Sequence, residues 1–227
     1  MNIKTLFITG ASSGIGAFTA RAATKAGWNV ALVARRADKL QDLVSELGSE
    51  TALAIPGDVT DLAAMEQAVQ KTVETFGGID AAFANAGTGV NTPGTEQGDP
   101  EEWRRLVDIN IMGVLYTTRV VLPELKKRKG TLVLTGSAAG RNHIKGSIYG
   151  ASKWFVHGYA GNMAEEMREW GGRCSVIAPG MVDTDFFDSP KPTKLQPEDV
   201  ADAVLHAISA PDRAAIREIY IMPQNLN

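Results

Sequence analysis

In the stretch GSIYGASK, residues 146 to 153, a phenol and a primary amine stand four residues apart. At helical spacing, residues i and i+4 share a face about one turn apart. A phenol and an ammonium held that close can share a proton's chemistry. An ordinary helix-surface pair has the same spacing, so Tyr149 and Lys153 need the surrounding elements to give them meaning.

Those elements alternate from end to end. Strand-like runs lie at 5–9, 30–34, 52–55, 81–84, 131–135, 174–178 and 218–222. Most are continuously apolar rather than alternating, as in strands buried on both faces of a parallel sheet. Helix signals fall between them. Asp99-Pro100-Glu101-Glu102 and Gln196-Pro197-Glu198-Asp199 each read as a cap, a proline at the first helical position and an acidic first turn. Gly27, Gly48 and Gly77 follow helical runs, where a left-handed cap favours glycine. Lys126 to Lys129 sits at a predicted helix C-terminus, where cations offset the dipole. The pattern predicts a single-domain Rossmann-type α/β fold over 1–227: a doubly wound parallel sheet of about seven strands with helices on both faces.

The chain's 227 residues suit one such unit. A net charge of −3 offers no general attraction to nucleic acid or anionic membrane. The single cysteine, Cys174, excludes an intramolecular disulfide and a cysteine metal cluster. The opening MNIKTLFITG runs almost directly into a strand and lacks signal-peptide grammar, and no apolar stretch is expected to reach spanning length. A cytoplasmic location is therefore expected. The three histidines, His143, His157 and His206, have no ligand spacing, so no metal site is expected.

In doubly wound sheets, ligands bind at the carboxyl ends of the strands where the strand order reverses. The loops there carry the informative residues. Gly10-Ala11-Ser12-Ser13-Gly14-Ile15-Gly16 follows the first strand and opens a helix. Its glycines permit a tight turn and close backbone approach, and the helix N-terminus offers N–H groups to a pyrophosphate. Arg35-Arg36 follows the second strand, where an arginine suits the 2′-phosphate of NADP and an acid the ribose hydroxyls of NAD. Asp58-Val59 follows the third, with the acid placed to meet the adenine. Asn85-Ala86-Gly87 follows the fourth, under the cofactor. Gly136-Ser137 follows the fifth. Pro179-Gly180-Met181-Val182-Asp183-Thr184 follows the sixth. Six such loops in register point to one extended ligand across the sheet edge.

TGASSGIG, NAG, Ser137, YGASK and PG at these separations resemble the short-chain dehydrogenase/reductase family in its classical form, of the NADP-preferring type. The resemblance spans Thr5 to Met222. It implies hydride transfer between a nicotinamide and a small-molecule carbonyl or alcohol. It implies Tyr149 as proton donor and acceptor, with Lys153 lowering its pKa and holding the nicotinamide ribose. It implies Ser137 as hydrogen-bond donor to the substrate oxygen. It also implies Asn110, in VDINIMG, as anchor of a water that links Lys153 to solvent. Lowering a phenol by about 3 pKa units takes roughly 4 kcal/mol, much of which a nearby ammonium in a partly dehydrated cleft can provide. For Ser137 the plainer alternative is a turn serine, and for Asn110 a satisfied buried amide.

The implied cofactor contacts are Gly10, Ser12, Ser13, Gly14, Ile15, Gly16, Arg35, Arg36, Asp58, Val59, Asn85, Ala86, Gly87, Tyr149, Lys153, Pro179, Gly180, Val182 and Thr184, with NADP(H) as ligand. Two departures stand out. Ala84 occupies a position where the family often has asparagine. The segment after Thr184 is short, which favours an open pocket lined by Phe186 and Phe187 or simple core packing of those rings. His143 and Lys145 are expected at the surface. Apolar residues on the helices around 110–125 and 149–170 predict a homodimer or homotetramer. The same fold without catalysis, as an NADP(H) sensor, would dispense with Ser137, Tyr149 or Lys153, and all three are present. A methyltransferase usually has an acid where Arg35 stands.

Overall fold

The structure, a computed structural model, describes residues 3–224. Seven parallel strands form one sheet: β1 (Thr5–Thr9), β2 (Asn29–Ala34), β3 (Ala52–Pro56), β4 (Ala81–Ala84), β5 (Thr131–Thr135), β6 (Arg173–Pro179) and β7 (Glu218–Ile221). Their order is β3-β2-β1-β4-β5-β6-β7. Every residue of β1, β2 and β4 is buried, which is why these runs are apolar throughout.

The helices are α1 (Gly14–Lys25), α2 (Ala37–Leu47), α3 (Leu62–Phe76), α4 (Pro100–Val107), α5 (Gly113–Arg128), α6 (Ile148–Arg168) and α7 (Pro197–Ile208). Alternate residues of a strand serve opposite faces. Leu6, Ile8 and Leu32 pack with Ala20 of α1, Leu40 of α2 and Val204 of α7. Phe7, Ala31 and Val33 pack with Met65 of α3, Val121 of α5 and Met163 of α6. The expected doubly wound sandwich is thus formed, with two cores.

Most of the punctuation works as expected, although Gly48 ends α2 at φ 93° and ψ 130°, outside the left-handed helical region. Asp99 accepts the Glu101 N–H with Pro100 at the first helical position, and Gln196 and Asp199 form a reciprocal capping box. Gly77 caps α3 in the left-handed region at φ 79°. At the end of α5 a non-glycine, Lys129, takes that conformation at φ 50°.

Pro100 to Arg128 form a continuous 29-residue helix, α4 and α5 joined by a π-helical turn at Asp108–Met112, and one 18-residue window of it has a mean hydropathy of 1.3. Its buried positions, among them Leu106, Val120, Val121 and Leu125, lie in the fold as a core helix.

Candidate active site

The chain crosses from one side of β1 to the other between β3 and β4, so the sheet's switch point lies between the carboxyl ends of β1 and β4. Asn85 and Thr9 stitch that point together. Thr9 Oγ1 accepts from the Asn85 N–H at 3.1 Å and the Ala86 N–H at 3.3 Å. Asn85 Nδ2 donates to the Thr9 and Gly10 carbonyls, and its Oδ1 accepts from the Thr135 hydroxyl at 3.2 Å. One side chain therefore ties together the ends of β1, β4 and β5.

The turn between β1 and α1 is packed too closely for side chains. A Cβ on Gly10, which sits at φ 65°, would lie 2.9 Å from the Ala86 backbone. A Cβ on Gly16 would drive into the Gly10 carbonyl. Gly14, at φ 50°, faces the Thr184 methyl from the loop after β6. The N-terminus of α1 has no side-chain cap and no acid in its first turn. Its free N–H groups and positive dipole end are left for an anion.

Arg36 lies over this turn. Its guanidinium donates to Ser12 Oγ at 2.9 and 3.1 Å and to Ser13 Oγ at 2.7 Å. Both partners are neutral, so the positive charge stands uncompensated beside the turn. Arg35 is exposed, and its side chain makes no hydrogen bond or ion pair among the described residues. The glycine cradle and the open helix N-terminus fit the pyrophosphate of a dinucleotide.

The remaining predicted contacts divide by which part can face a ligand. Asp58 closes an Asx turn on Thr60, accepting from its N–H at 3.0 Å and hydroxyl at 2.9 Å. The side chains of Val59 and Val182 belong to the cores, which leaves only their backbones for a cofactor. Gly180 donates to the Ile221 carbonyl at 2.8 Å and abuts Met222 and Pro223, so its N–H is taken up by β7. Ile15 packs against the core, whereas Gly87 is exposed beside Lys153 and Asn110. Pro179 closes β6.

Ser137, Tyr149 and Lys153 converge at the end of β5. Ser137 caps a short 3-10 turn, Ala138–Gly140, by accepting the Ala139 N–H at 3.1 Å. Ser147 caps α6 by accepting the Gly150 N–H at 2.9 Å, which starts the helix at Ile148, one residue before the tyrosine. Lys153 is buried, with Nζ donating to the Thr135 carbonyl at 2.8 Å and 5.6 Å from the Tyr149 ring centroid. Burial pushes its pKa down from 10.5 to about 8. Burial raises the Tyr149 phenol, while a hydrogen bond with Ser137 pulls it the other way. The net direction is upward, against the expected depression: desolvation outweighs the Ser137 hydrogen bond, and Lys153 is held on Thr135 rather than on the phenol oxygen.

Asn110 sits in the π-helical turn, buried, and its amide is committed to protein partners. Oδ1 accepts the Thr88 N–H at 2.8 Å; Nδ2 donates to the Thr88 carbonyl at 2.9 Å and Ser152 Oγ at 3.2 Å. It pins the loop after β4 onto α6 in the manner of a strand pair, the satisfied-amide alternative. Phe186 lies over the mouth of the site, 5.7 Å from the Tyr149 ring and against Gly89, rather than in the core. His143 stacks on Trp154 and is exposed with Lys145. Thr88, Thr135 and His157 touch the site residues and lie outside the sequence motifs, while Thr9 and Ser152 lie inside TGASSGIG and YGASK without having been singled out. Of the first three, only His157 left a signal, its i+4 spacing from Lys153.

A parallel sheet with a glycine cradle at its switch point and a Ser–Tyr–Lys cluster one strand away defines a Rossmann-type oxidoreductase. The comparisons agree. The family model described as short chain dehydrogenase matches residues 4–194. An uncharacterized oxidoreductase of Staphylococcus aureus (strain MRSA252) is 35% identical over 225 residues, covering 97% of both chains. An alcohol dehydrogenase from the archaeon Thermococcus sibiricus, complexed with 5-hydroxy-NADP, superposes with a TM-score of 0.90 at 29% identity, covering 98% of this chain and 97% of the other. The closed form of a serine dehydrogenase complexed with NADP+ gives the same score and identity and covers 98% of both. The chain belongs to the short-chain dehydrogenase/reductase family of oxidoreductases.

Proposed function

We propose that the protein is an NADP(H)-dependent carbonyl reductase or alcohol dehydrogenase with Tyr149 as general acid and base. The convergence of Ser137, Tyr149 and Lys153 at the sheet's carboxyl edge carries this reading. The glycine turn and α1 N-terminus would hold the pyrophosphate, Arg35 and Arg36 the ribose phosphate, and Lys153 the nicotinamide ribose. When bound, the cofactor supplies the hydride donor or acceptor.

The chain's own residues handle the oxygen and the proton. Ser137 donates a hydrogen bond to the substrate oxygen and stabilises the negative charge that grows there. Tyr149 gives its proton to that oxygen during reduction and takes it back during oxidation. The raised phenol is protonated at neutral pH, the form reduction requires. Lys153 stays mainly cationic at pH 7 and favours the phenolate as it forms. Asn110 holds the Thr88 loop against α6 beside Lys153, and a water relay from Lys153 to solvent would pass this point. Phe186 shields the reacting groups from one side.

The substrate class is a small-molecule ketone, aldehyde or alcohol. The decisive experiment follows NADPH consumption across a panel of ketones and aldehydes in wild type and Tyr149→Phe. Stoichiometric NADPH binding with no turnover on any of them would overturn the reading.

Assembly as a homodimer or homotetramer belongs to the same proposal. Leu115 and Leu122 on α5 are only partly buried, Trp154 on α6 is 42% exposed, and Phe155 stacks on Tyr159 at 5.7 Å. A two-fold pairing of these helices would cover them. A monomer by light scattering at micromolar concentration would contradict it. A cytoplasmic location is proposed with it, in keeping with a free, buried Cys174.

A further inference from the structure

His157 lies one helical turn beyond Lys153 on α6, on the face that also carries Tyr149. Its side chain is 5% exposed. Nε2 sits 3.4 Å from the Ser137 amide nitrogen and 3.2 Å from the Ser137 carbonyl oxygen. Nδ1 faces Glu218 Oε1 of β7 at 3.6 Å, beyond hydrogen-bond range, and is a buried nitrogen with no hydrogen-bond partner among the described residues. Glu218 is itself held by the Arg141 guanidinium in a bidentate pair.

Two glycines make the slot for this ring. A Cβ on Gly136 would lie 2.5 Å from His157 Nε2 and 2.6 Å from Val176 Cγ2. A Cβ on Gly140 would lie 2.6 Å from His157 Cδ2 and 2.8 Å from the Lys153 carbonyl. Neither glycine has a positive φ, so local conformation does not demand them. The room they leave for the imidazole explains both.

We propose that His157 is a positioning residue for the active-site serine, its imidazole gripping the Ser137 peptide from beneath and Glu218 orienting the ring. The inference rests on the reading of Ser137 as the donor to the substrate oxygen. Ser137 is extended at φ −173° and its hydroxyl already accepts from Ala139, so the hydroxyl goes where the peptide is held.

The grip depends on charge. A neutral ring with its proton on Nδ1, toward the carboxylate, accepts the Ser137 N–H at Nε2. A charged ring carries a proton on both nitrogens, so Nε2 turns donor and pulls on the Ser137 carbonyl instead. The groups facing the ring are Glu218 from β7, Arg141 from the loop after the 3-10 turn and Lys153 from its own helix. Burial, Arg141 and Lys153 disfavour the charged ring, Glu218 and the Ser137 carbonyl favour it, and burial dominates. The ring is neutral at pH 7 and charges only in acid.

The test uses the full-length enzyme with the best carbonyl substrate of the panel. His157→Leu should lower kcat on the order of 10- to 100-fold, the scale of a small misplacement of a reacting group. NADPH affinity should stay within about twofold, since no cofactor contact is altered. His157→Gln, which keeps a hydrogen-bonding group, should recover part of the loss. Wild type should show an acidic limb in kcat below the ordinary histidine pKa of 6.5, and both variants should lack it. Glu218→Gln, which keeps the volume, should move that limb about one pH unit lower or more; it decides the matter if His157→Leu does not fold. Unchanged kcat and an unchanged acidic limb in folded His157→Leu, or an unmoved limb in Glu218→Gln, would overturn the inference. Wild-type turnover in Ser137→Ala would instead overturn the reading of the serine on which it rests.

Discussion

Lys153 reaches across from α6 to the end of β5, where its ammonium donates to the Thr135 carbonyl at 2.8 Å. That bond fixes the cation 5.6 Å from the Tyr149 ring, close enough to act on the phenol through space without bonding its oxygen. Both groups feel burial first: the lysine is lowered to about 8 and the tyrosine is raised. The pair is therefore stored in its protonated form.

Tyr149→Phe removes the proton donor and little else. It should lower kcat by about 10²-fold or more, the usual scale for a positioned acid. NADPH affinity by fluorescence titration should remain within about twofold, because the ring and its packing against Phe186 persist.

The lysine makes stability depend on pH. Its folded pKa of about 8 lies below the ordinary 10.5, so between these values the unfolded chain binds more protons. Stability therefore carries a penalty below pH 8 that is relieved as pH rises. The gain from pH 8 to pH 10 is about 2 kcal/mol as an order of magnitude. Urea unfolding of the ligand-free protein at the two pH values measures it, and Lys153→Met should flatten the difference.

The two arginines should separate by what each touches. Arg35 has no partner among the described residues, so Arg35→Asp should cut kcat/KM for NADPH at least about 10-fold, the worth of one charged hydrogen bond. It should leave kcat at saturating cofactor nearly intact. Arg36 also holds Ser12 and Ser13, so Arg36→Ala should weaken NADH along with NADPH. A wild type with equal kcat/KM for both cofactors would contradict the role given to Arg35.

Gly16→Ala places a methyl against the Gly10 carbonyl, a backbone atom that cannot swing away. Overpacking of this kind costs about 1–3 kcal/mol. The midpoint of thermal unfolding should fall by several degrees, and calorimetry with and without NADPH should show that the cofactor's stabilisation is lost as well.

Much of this protein was legible along the chain. The seven apolar runs became the seven strands, with no end displaced by more than one residue, because strands in the buried middle of the sheet have no use for polar side chains. The glycine turn, Ser137, Tyr149 and Lys153 were readable because each belongs to a local pattern of turn, strand end or helical spacing. The pairing of distant residues was not. Asn85 joins three strand ends, with partners 50 to 76 residues away, and Asn110 holds Thr88 and Ser152, 22 and 42 residues away. Likewise the sequence offered Arg35 and Arg36 as equals, and only the folded loop set Arg36 on the serines and left Arg35 in solvent. The direction of the Tyr149 shift went the other way from the i+4 spacing for the same reason. Spacing gives proximity to a cation, but burial and the lysine's own partner depend on where β5 lies against α6, and both are properties of the packed chain.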